Sequence, residues 1–530
     1  MRLAIVLDPA DVRQWHCRLV EALREDGHEV AILERPRHPV EAEQARKLAK
    51  VCALERKTGL MPADHPTAPA SVAQIAALRG DAAPQTLDCT IDLVSAGSSG
   101  RVLAPMYDGS LSEAAGSARV RAGDTPSVGI ALREAGRADR ICVALARPAF
   151  KDRTTLARNL DHVALAVLEL LQQTVRRLAR GDVLEALCEE PREAPRPASA
   201  AGFALASFAR RALRRSKRFL GRVDHWRIGW RWCGNDPVRE RLDWPAGHYE
   251  FVADDGKRYF ADPFVFWHEV RAHVFCEELP FASGKGVISL FTISSDGEVS
   301  PPRVVLERPY HLSYPFVFAE DGEIWMIPET SANRTIELYR ARHFPDVWVK
   351  EAILVEDVVA ADATLVTHGG RRWLFASLAA EGGSSWDNLG LFHASRLAGP
   401  WTAHPLNPVV IDVRAARPAG MMFQQGGRLL RPVQDCSTDY GAALTLYEVT
   451  RLDPDGYAQR LVRRLTPPPA WRGDGVHTLN EAGGLEVVDC VGWRSRWYAA
   501  LRRGRRSAGG AVGSRQWAVG DEAERPRPTV

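Results

Sequence analysis

One octapeptide, Tyr259-Phe-Ala-Asp-Pro-Phe-Val-Phe266, returns in weaker form four times, and a chain that repeats a short strand in this way has few architectures open to it. The echoes are Ser313-Tyr-Pro-Phe-Val-Phe318, Ala361-Asp-Ala-Thr-Leu-Val366, Arg417-Pro-Ala-Gly-Met-Met-Phe423 and Gly475-Val-His-Thr-Leu479. Aligning Asp262, Tyr314, Asp362, Arg417 and His477 gives steps of 52, 48, 55 and 60 residues. Repeats of that length built from short strands predict propeller blades. Inside the second repeat a turn at Glu320-Asp-Gly-Glu leads to strands at Ile324-Trp-Met-Ile327 and Ile336-Glu-Leu-Tyr339. The third and fourth repeats carry the same parts around His368-Gly-Gly and Gln425-Gly-Gly, and the first has Val274-Phe-Cys276 and Ile288-Ser-Leu-Phe291. Apolar alternation bounded by Gly and Asp is strand-and-turn chemistry, so five blades are expected.

The rest of the chain is organised differently. Residues 1–185 read as α/β: Leu3-Ala-Ile-Val-Leu7 is a buried strand, Asp11 a helix N-cap, and Trp15, Leu19, Val20 and Leu23 one helical face ending at Gly27. Asp8-Pro-Ala-Asp11 stands where a dinucleotide fold carries G-x-G-x-x-G, so no NAD or FAD is expected. Cys89-Thr-Ile-Asp-Leu-Val94 runs into a small-residue loop at 95–100 that either holds an anion or is simply a turn. A long amphipathic helix is predicted over 154–180 through Leu160, Val163, Val167, Leu171, Val175 and Leu178. Residues 186–235 form a Pro-rich linker and a basic segment, 236–500 the propeller, and 501–530 a disordered tail rich in Arg, Gly, Ser and Pro.

Composition narrows the function classes only a little. The net charge of +3 says nothing of partners, while nine scattered cysteines without a C-x-x-C pair favour reduced thiols and no zinc. No apolar run approaches the ~20 residues of a membrane span, and with neither signal peptide nor span visible a cytoplasmic protein is expected. From Arg210 to Trp232 nine Lys and Arg face a single acid among interspersed Phe and Leu. The part from Arg210 to Arg222 can therefore touch an anionic membrane peripherally, lie on an acidic glycan or be a solvated helix face; no nucleic-acid module accompanies it.

Two resemblances add to this reading. The MRLAIVLD start, the Asp88-to-Asp92 strand with its small-residue loop, Val102-Leu-Ala-Pro-Met-Tyr-Asp-Gly109 and Ala122-Gly-Asp-Thr-Pro126 resemble the N-terminal domain of the formyltransferase family. That implies a Rossmann-like, formyltransferase-like α/β domain. Enzymes of the family carry an Asn, His and Asp set; residues 95–105 contain neither Asn nor His, so no catalytic residue transfers, and Asp92, Asp108 and Asp124 are equally turn and cap candidates. In the second half, Phe260-Ala-Asp-Pro-Phe-Val-Phe, His311-Leu-Ser-Tyr-Pro-Phe-Val-Phe, Met326-Ile-Pro-Glu-Thr-Ser and Gly475-Val-His-Thr-Leu look like the N-terminal domain of glucosamine inositolphosphorylceramide transferases. That domain is itself similar to the five-bladed, furanosidase-like propellers of glycoside hydrolases. The glycosyltransferase domain that follows it in those enzymes is not expected here.

Blade-opening strands line a propeller's channel, so Asp262, Tyr314, Asp362, Arg417 and His477 are expected around one axis. Glycoside cleavage needs two carboxyl groups, one protonated and one ionised. The resemblance implies Asp262 as base, with Asp362 or Glu329 as acid and Tyr314 where a helper Asp is usual. Arg417 either binds a sugar carboxylate or phosphate or pairs with one of these acids. His477 is a proton carrier or a satisfied core histidine, and Trp267, Trp325, Trp373 and Trp386 stack on sugars or pack between blades. The expectation is a carbohydrate-active protein that binds and hydrolyses or transfers a sugar of a surface glycan or glycolipid. The alternatives are a non-catalytic glycan-binding propeller on an inactive scaffold and a formyl or one-carbon transferase acting on an amino sugar.

Overall fold

The computed structural model describes residues 1–57, 65–78, 86–95, 97–187, 193, 195, 199–219, 222–245, 247–471 and 473–495. The expected tail, most of the linker and one residue of the 95–100 loop lie outside these. The chain divides into two compact units: residues 1–213 with 380–387 and 406–413, and the remainder.

The first unit is mixed α/β. Its sheet runs β2-β1-β3-β4-β5-β6, with β1 (Arg2–Leu7), β2 (Glu29–Glu34), β3 (Cys89–Asp92), β4 (Val102–Tyr107), β5 (Val128–Arg133) and β6 (Ile141–Ala146). The first four are parallel, while β5 pairs antiparallel with both β4 and β6. Between them lie α1 (Gln14–Glu25), α2 (Pro39–Lys57), α3 (Val72–Leu78) and α4 (Glu113–Arg121). The long helix is α5 (Leu156–Ala179), whose Leu160, Val163, Val167, Leu171 and Val175 enter the core with Leu3, Ile5 and Leu7. Asp11 does not cap α1. The N-cap is Arg13, whose backbone amide donates to His16 Nδ1 at 3.1 Å, and Asp11 instead accepts from the Arg13 side chain at 2.8 Å. Asp92 and Asp124 accept from the nearby Val94 and Thr125 amides, the turn chemistry open to short carboxylates, while Asp108 accepts from the distant Ser127 amide and from Arg119. The basic segment opens as α6 (Ala200–Phe219), where Phe203 is buried and Leu205 and Phe208 are exposed. Among the described residues no helix is long and apolar enough to cross a membrane.

The second unit holds five antiparallel sheets, each a blade. Blade one begins with Arg258–His268, blade two with Ser313–Glu320 and blade three with Ala360–His368. Blades four and five begin with Phe423–Gln425 and Leu479–Ala482, so Arg417 and His477 stand just ahead of their strands. Blade five is completed from the opposite side of the sequence. The strand β7 (Arg222–Trp232) runs antiparallel beside Leu485–Ser495 with an unbroken register of eleven pairs, from Leu485 opposite Trp232 to Ser495 opposite Arg222. Much of the segment read from sequence as basic and amphipathic is thus sheet. Its cations find distant partners: Arg231 Nε donates to Glu486 at 2.8 Å and Arg227 donates to the Trp471 carbonyl at 2.8 Å.

The first hairpin of every blade turns through two residues with positive φ: Glu269-Val270, Asp321-Gly322, Gly369-Gly370, Gly426-Gly427 and Gly483-Gly484. That is the tight turn whose twist matches paired strands, and it favours Gly or Asp because a β-carbon crowds the backbone there. Blade one breaks the rule with a β-branched residue at φ 59°, and Val270 is 86% exposed, so its side chain adds little to set against the strain. Val270→Gly should therefore raise the stability of the propeller by about 1 kcal/mol, read as a higher urea midpoint. A lower midpoint would show that the turn is unstrained.

Candidate functional site: a buried polar network at the blade openings

Asp262, Tyr314 and Asp362 occupy equivalent places in blades one to three, and all three adopt left-handed backbone conformations, with φ of 50°, 44° and 56°. Each sits where the register between the first two strands slips, at Ala261 against Glu277, between Ser313 and Phe316, and between Ala361 and Thr364. Such bulges re-aim side chains, and non-glycine residues held left-handed cost about 1–3 kcal/mol each, which the surroundings must offset. The surroundings here are hydrogen bonds. All three side chains are buried.

Two ion-pair centres result. In the first, His477 lies between Asp262 and Asp489, with Nε2 2.9 Å from Asp262 Oδ1 and Nδ1 2.8 Å from Asp489 Oδ2. The second contact is an ion pair without hydrogen-bond alignment. Asp489 also accepts from the amides of His477, Thr478 and Asp262, at 3.0, 2.9 and 2.9 Å. Asp262 accepts from the Thr478 hydroxyl at 3.0 Å and the Tyr314 amide at 3.3 Å. Burial works against charge on His477, but Asp489 and Asp262 outweigh it and push the ring up to about 10. Burial would raise Asp262, yet the His477 imidazolium and Thr478 hold it below the ordinary carboxylate range.

In the second centre, Asp362 accepts from Arg417 Nε at 2.6 Å and from Gln434 Nε2 at 2.7 Å. Arg417 reaches Glu329 Oε2 at 3.9 Å and stacks at 5.0 Å from the Tyr440 ring. Glu329 Oε1 accepts from Ser331 at 2.6 Å, while buried Oε2 has no hydrogen-bond donor. Burial pushes Asp362 well above its usual range; Arg417 opposes this, and the Glu329 and Asp262 carboxylates add to it. Tyr314 ties the centres together, its amide on Asp262 and its hydroxyl 2.9 Å from Thr364 and 2.7 Å from the Gly420 amide that donates to it. A third pair, Glu277 and His311 at 3.2 Å, is electrostatically linked to Asp262, and His311 retains some solvent exposure.

The structure therefore gathers Asp262, Tyr314, Glu329, Asp362, Arg417 and His477. It does not bring Trp325 among them: the Trp325 indole donates to the Glu320 carbonyl at 3.2 Å and packs in the core of blades two and three. Trp373 is a core residue, Trp386 belongs to the first unit and Trp267 meets Trp232 edge-on at 6.1 Å. Asp489 and Gln434 escaped the sequence reading. The signal for Asp489 was present, a carboxylate inside the apolar run Leu485-Glu-Val-Val-Asp-Cys490, where an ionisable group needs a partner. Asp262, His477 and Asp489 also bring ligand-type atoms within 4.8 Å of one another. A divalent ion there would have to displace the ring proton and compete with three amides on Asp489.

Folded His477 keeps its proton to about pH 10, whereas its ordinary value is 6.5. Its ion pairs thus contribute in full below about pH 6.5 and are lost as pH rises through about 10. Wild-type stability should decline across that window in chemical denaturation, and His477→Gln should make the decline markedly shallower, leaving the part that the raised His311 contributes. An equal decline in the variant would mean that the ring is neutral.

Residues 251–482 match the family described as glucosamine inositolphosphorylceramide transferase 1, N-terminal. Curated proteins named glucosamine inositolphosphorylceramide transferase 1 are similar to the chain over 205 residues, 38% of its length. The protein of Oryza sativa subsp. japonica is 33% identical and that of Arabidopsis thaliana 30%; the aligned stretch is 27% of each relative. Among solved structures, Zg3597, a family 117 glycoside hydrolase produced by the marine bacterium Zobellia galactanivorans, has 13% identity and a TM-score of 0.34. That match covers 50% of this chain and 90% of the other.

Proposed function

We propose that the propeller acts on a saccharide of a glycolipid or surface glycan, with Asp262 as the ionised carboxylate and Asp362 or Glu329 as the acid. The matched domain, named for glucosamine and inositolphosphorylceramide, supports the substrate class. The observation that carries the chemistry is the divergence of two carboxyl groups at equivalent left-handed positions. Asp262 is held low by His477 and Asp362 is driven high by burial, within one network. Separating two carboxyl groups in this way assigns one to give a proton and the other to remain charged. Under this reading Tyr314, Arg417 and His477 orient the carboxylates. Exposed Leu205 and Phe208 on α6 suit a lipid-borne substrate.

A second reading, a glycan-binding propeller without turnover, is favoured by the engagement of both cations: Arg417 is taken by Asp362 and His477 by two aspartates. Aryl glucosaminides and a glucosamine-bearing inositolphosphorylceramide, offered to the full chain, separate the two. Turnover should fall by about 100-fold or more in Asp262→Asn with the circular dichroism spectrum retained. Undiminished turnover in that variant excludes the assignment. Binding without turnover that survives Asp362→Asn establishes the second reading instead.

A further inference from the structure

The sheet of the first unit changes direction at β1: the chain leaves it through α1 to β2 on one side and returns through α2 and α3 to β3 on the other. The loops that follow β1 and β3 therefore part, and in open α/β sheets that crevice, at the carboxyl ends of the strands, is where small ligands sit. A cavity of about 470 Å³ lies there, within the ~300–1,000 Å³ range of small-molecule sites. The loops after all four parallel strands contribute to it: Arg13 after β1, Arg37 after β2, Leu93 to Ser95 after β3, Leu111 and Ser112 after β4.

The polar wall is built from two guanidinium groups. Arg13 Nη1 reaches Glu113 Oε1 at 2.5 Å and Arg37 Nη1 reaches Glu113 Oε2 at 2.7 Å; Asp11 is shared as well, at 2.8 Å from Arg13 and 3.5 Å from Arg37. The arrangement locks both planar groups in place. The Arg37 side chain is only 8% exposed, yet its buried Nε has no acceptor. A buried, charged N–H donor without a partner is costly, so it marks a place where an acceptor belongs. Asp92, also in the lining, accepts from the Val94 amide and from Ser98 and makes no hydrogen bond to Arg37 Nε. Leu48, Leu93 and Leu111 supply an apolar wall opposite in character.

We propose that this cavity is a second ligand site, independent of the propeller, that takes a small molecule bearing a phosphate or carboxylate group. The anion accepts from Arg37 Nε and is stabilised by the Arg13 and Arg37 guanidiniums, while the apolar wall receives the rest of the molecule. Fixed guanidinium forks suit planar or tetrahedral oxyanions, to which they offer paired donors.

Titration calorimetry on the full chain tests this with inorganic phosphate and with malonate as probes. At least one should bind saturably with a Kd below about 10 mM, and which one responds distinguishes the phosphate source from the carboxylate. Arg37→Gln should weaken that binding by roughly ten-fold or more. Since this variant also disturbs the Glu113 pairing, Ala45→Phe provides the second arm: it adds bulk at a lining residue of α2 and removes no charge. It too should weaken binding by roughly ten-fold or more. Absence of saturable heat for both anions, or undiminished binding in either folded variant, overturns the proposal.

Discussion

A charged imidazole between two carboxylates bridges the seam where the propeller's last blade meets its first. His477 stands ahead of the first strand of blade five, Asp489 in its second strand and Asp262 in the first strand of blade one, so the three groups span the seam between last and first blades. Three more bonds cross the same seam: the Asp262 amide to Asp489 at 2.9 Å, the Thr478 hydroxyl to Asp262 at 3.0 Å and the Asn480 side chain to the Pro263 carbonyl at 2.8 Å. Buried ion pairs are weak evidence for net stability, because removing the charges from water consumes most of the attraction. Their better-attested role is to specify arrangement. Apolar blade faces tolerate small slips, whereas an imidazole with each nitrogen against a different carboxylate fits one register only.

The same constraint explains the backbone. Asp262, Tyr314 and Asp362 are held left-handed, without glycine's freedom, in three successive blades. A straight first strand would point those side chains into the sheet's own alternation; the bulge turns each of them out of it. Tyr314 shows how the parts depend on one another, since its amide serves Asp262 while its hydroxyl accepts from the Gly420 amide in blade four. The local strain and the network therefore stand or fall together, and residues far apart in sequence share one set of donors.

Charge balance gives the network its chemical character. Arg417 and His477 are two cations set against Asp262, Asp489, Asp362 and Glu329. With all four carboxylates ionised, the buried excess of negative charge would be expensive, and Asp362 is the group whose surroundings favour keeping a proton. The first unit treats its buried charge differently: Arg13, Arg37, Asp11 and Glu113 match in number, and the buried Arg37 Nε is left without an acceptor.

By itself the sequence determined the number of blades, because strand alternation and two-residue turns are local chemistry, plain at Asp321-Gly322, Gly369-Gly370 and Gly426-Gly427. It also singled out Asp262, Glu329 and Asp362 as candidate carboxylates of one site, Glu329 because it stands in an otherwise apolar strand. It did not disclose β7, since two of the cations that made that stretch look like a surface helix find their partners, Glu486 and the carbonyl of Trp471, some 250 residues away. Nor did it separate Arg417 as ligand-binder from Arg417 as counter-ion, or indicate that His477 needs Asp489. Those choices rest on distances between blades, and only tertiary structure sets them: a side chain's identity fixes which bonds it can make, while the closing of the ring fixes which of them it does make.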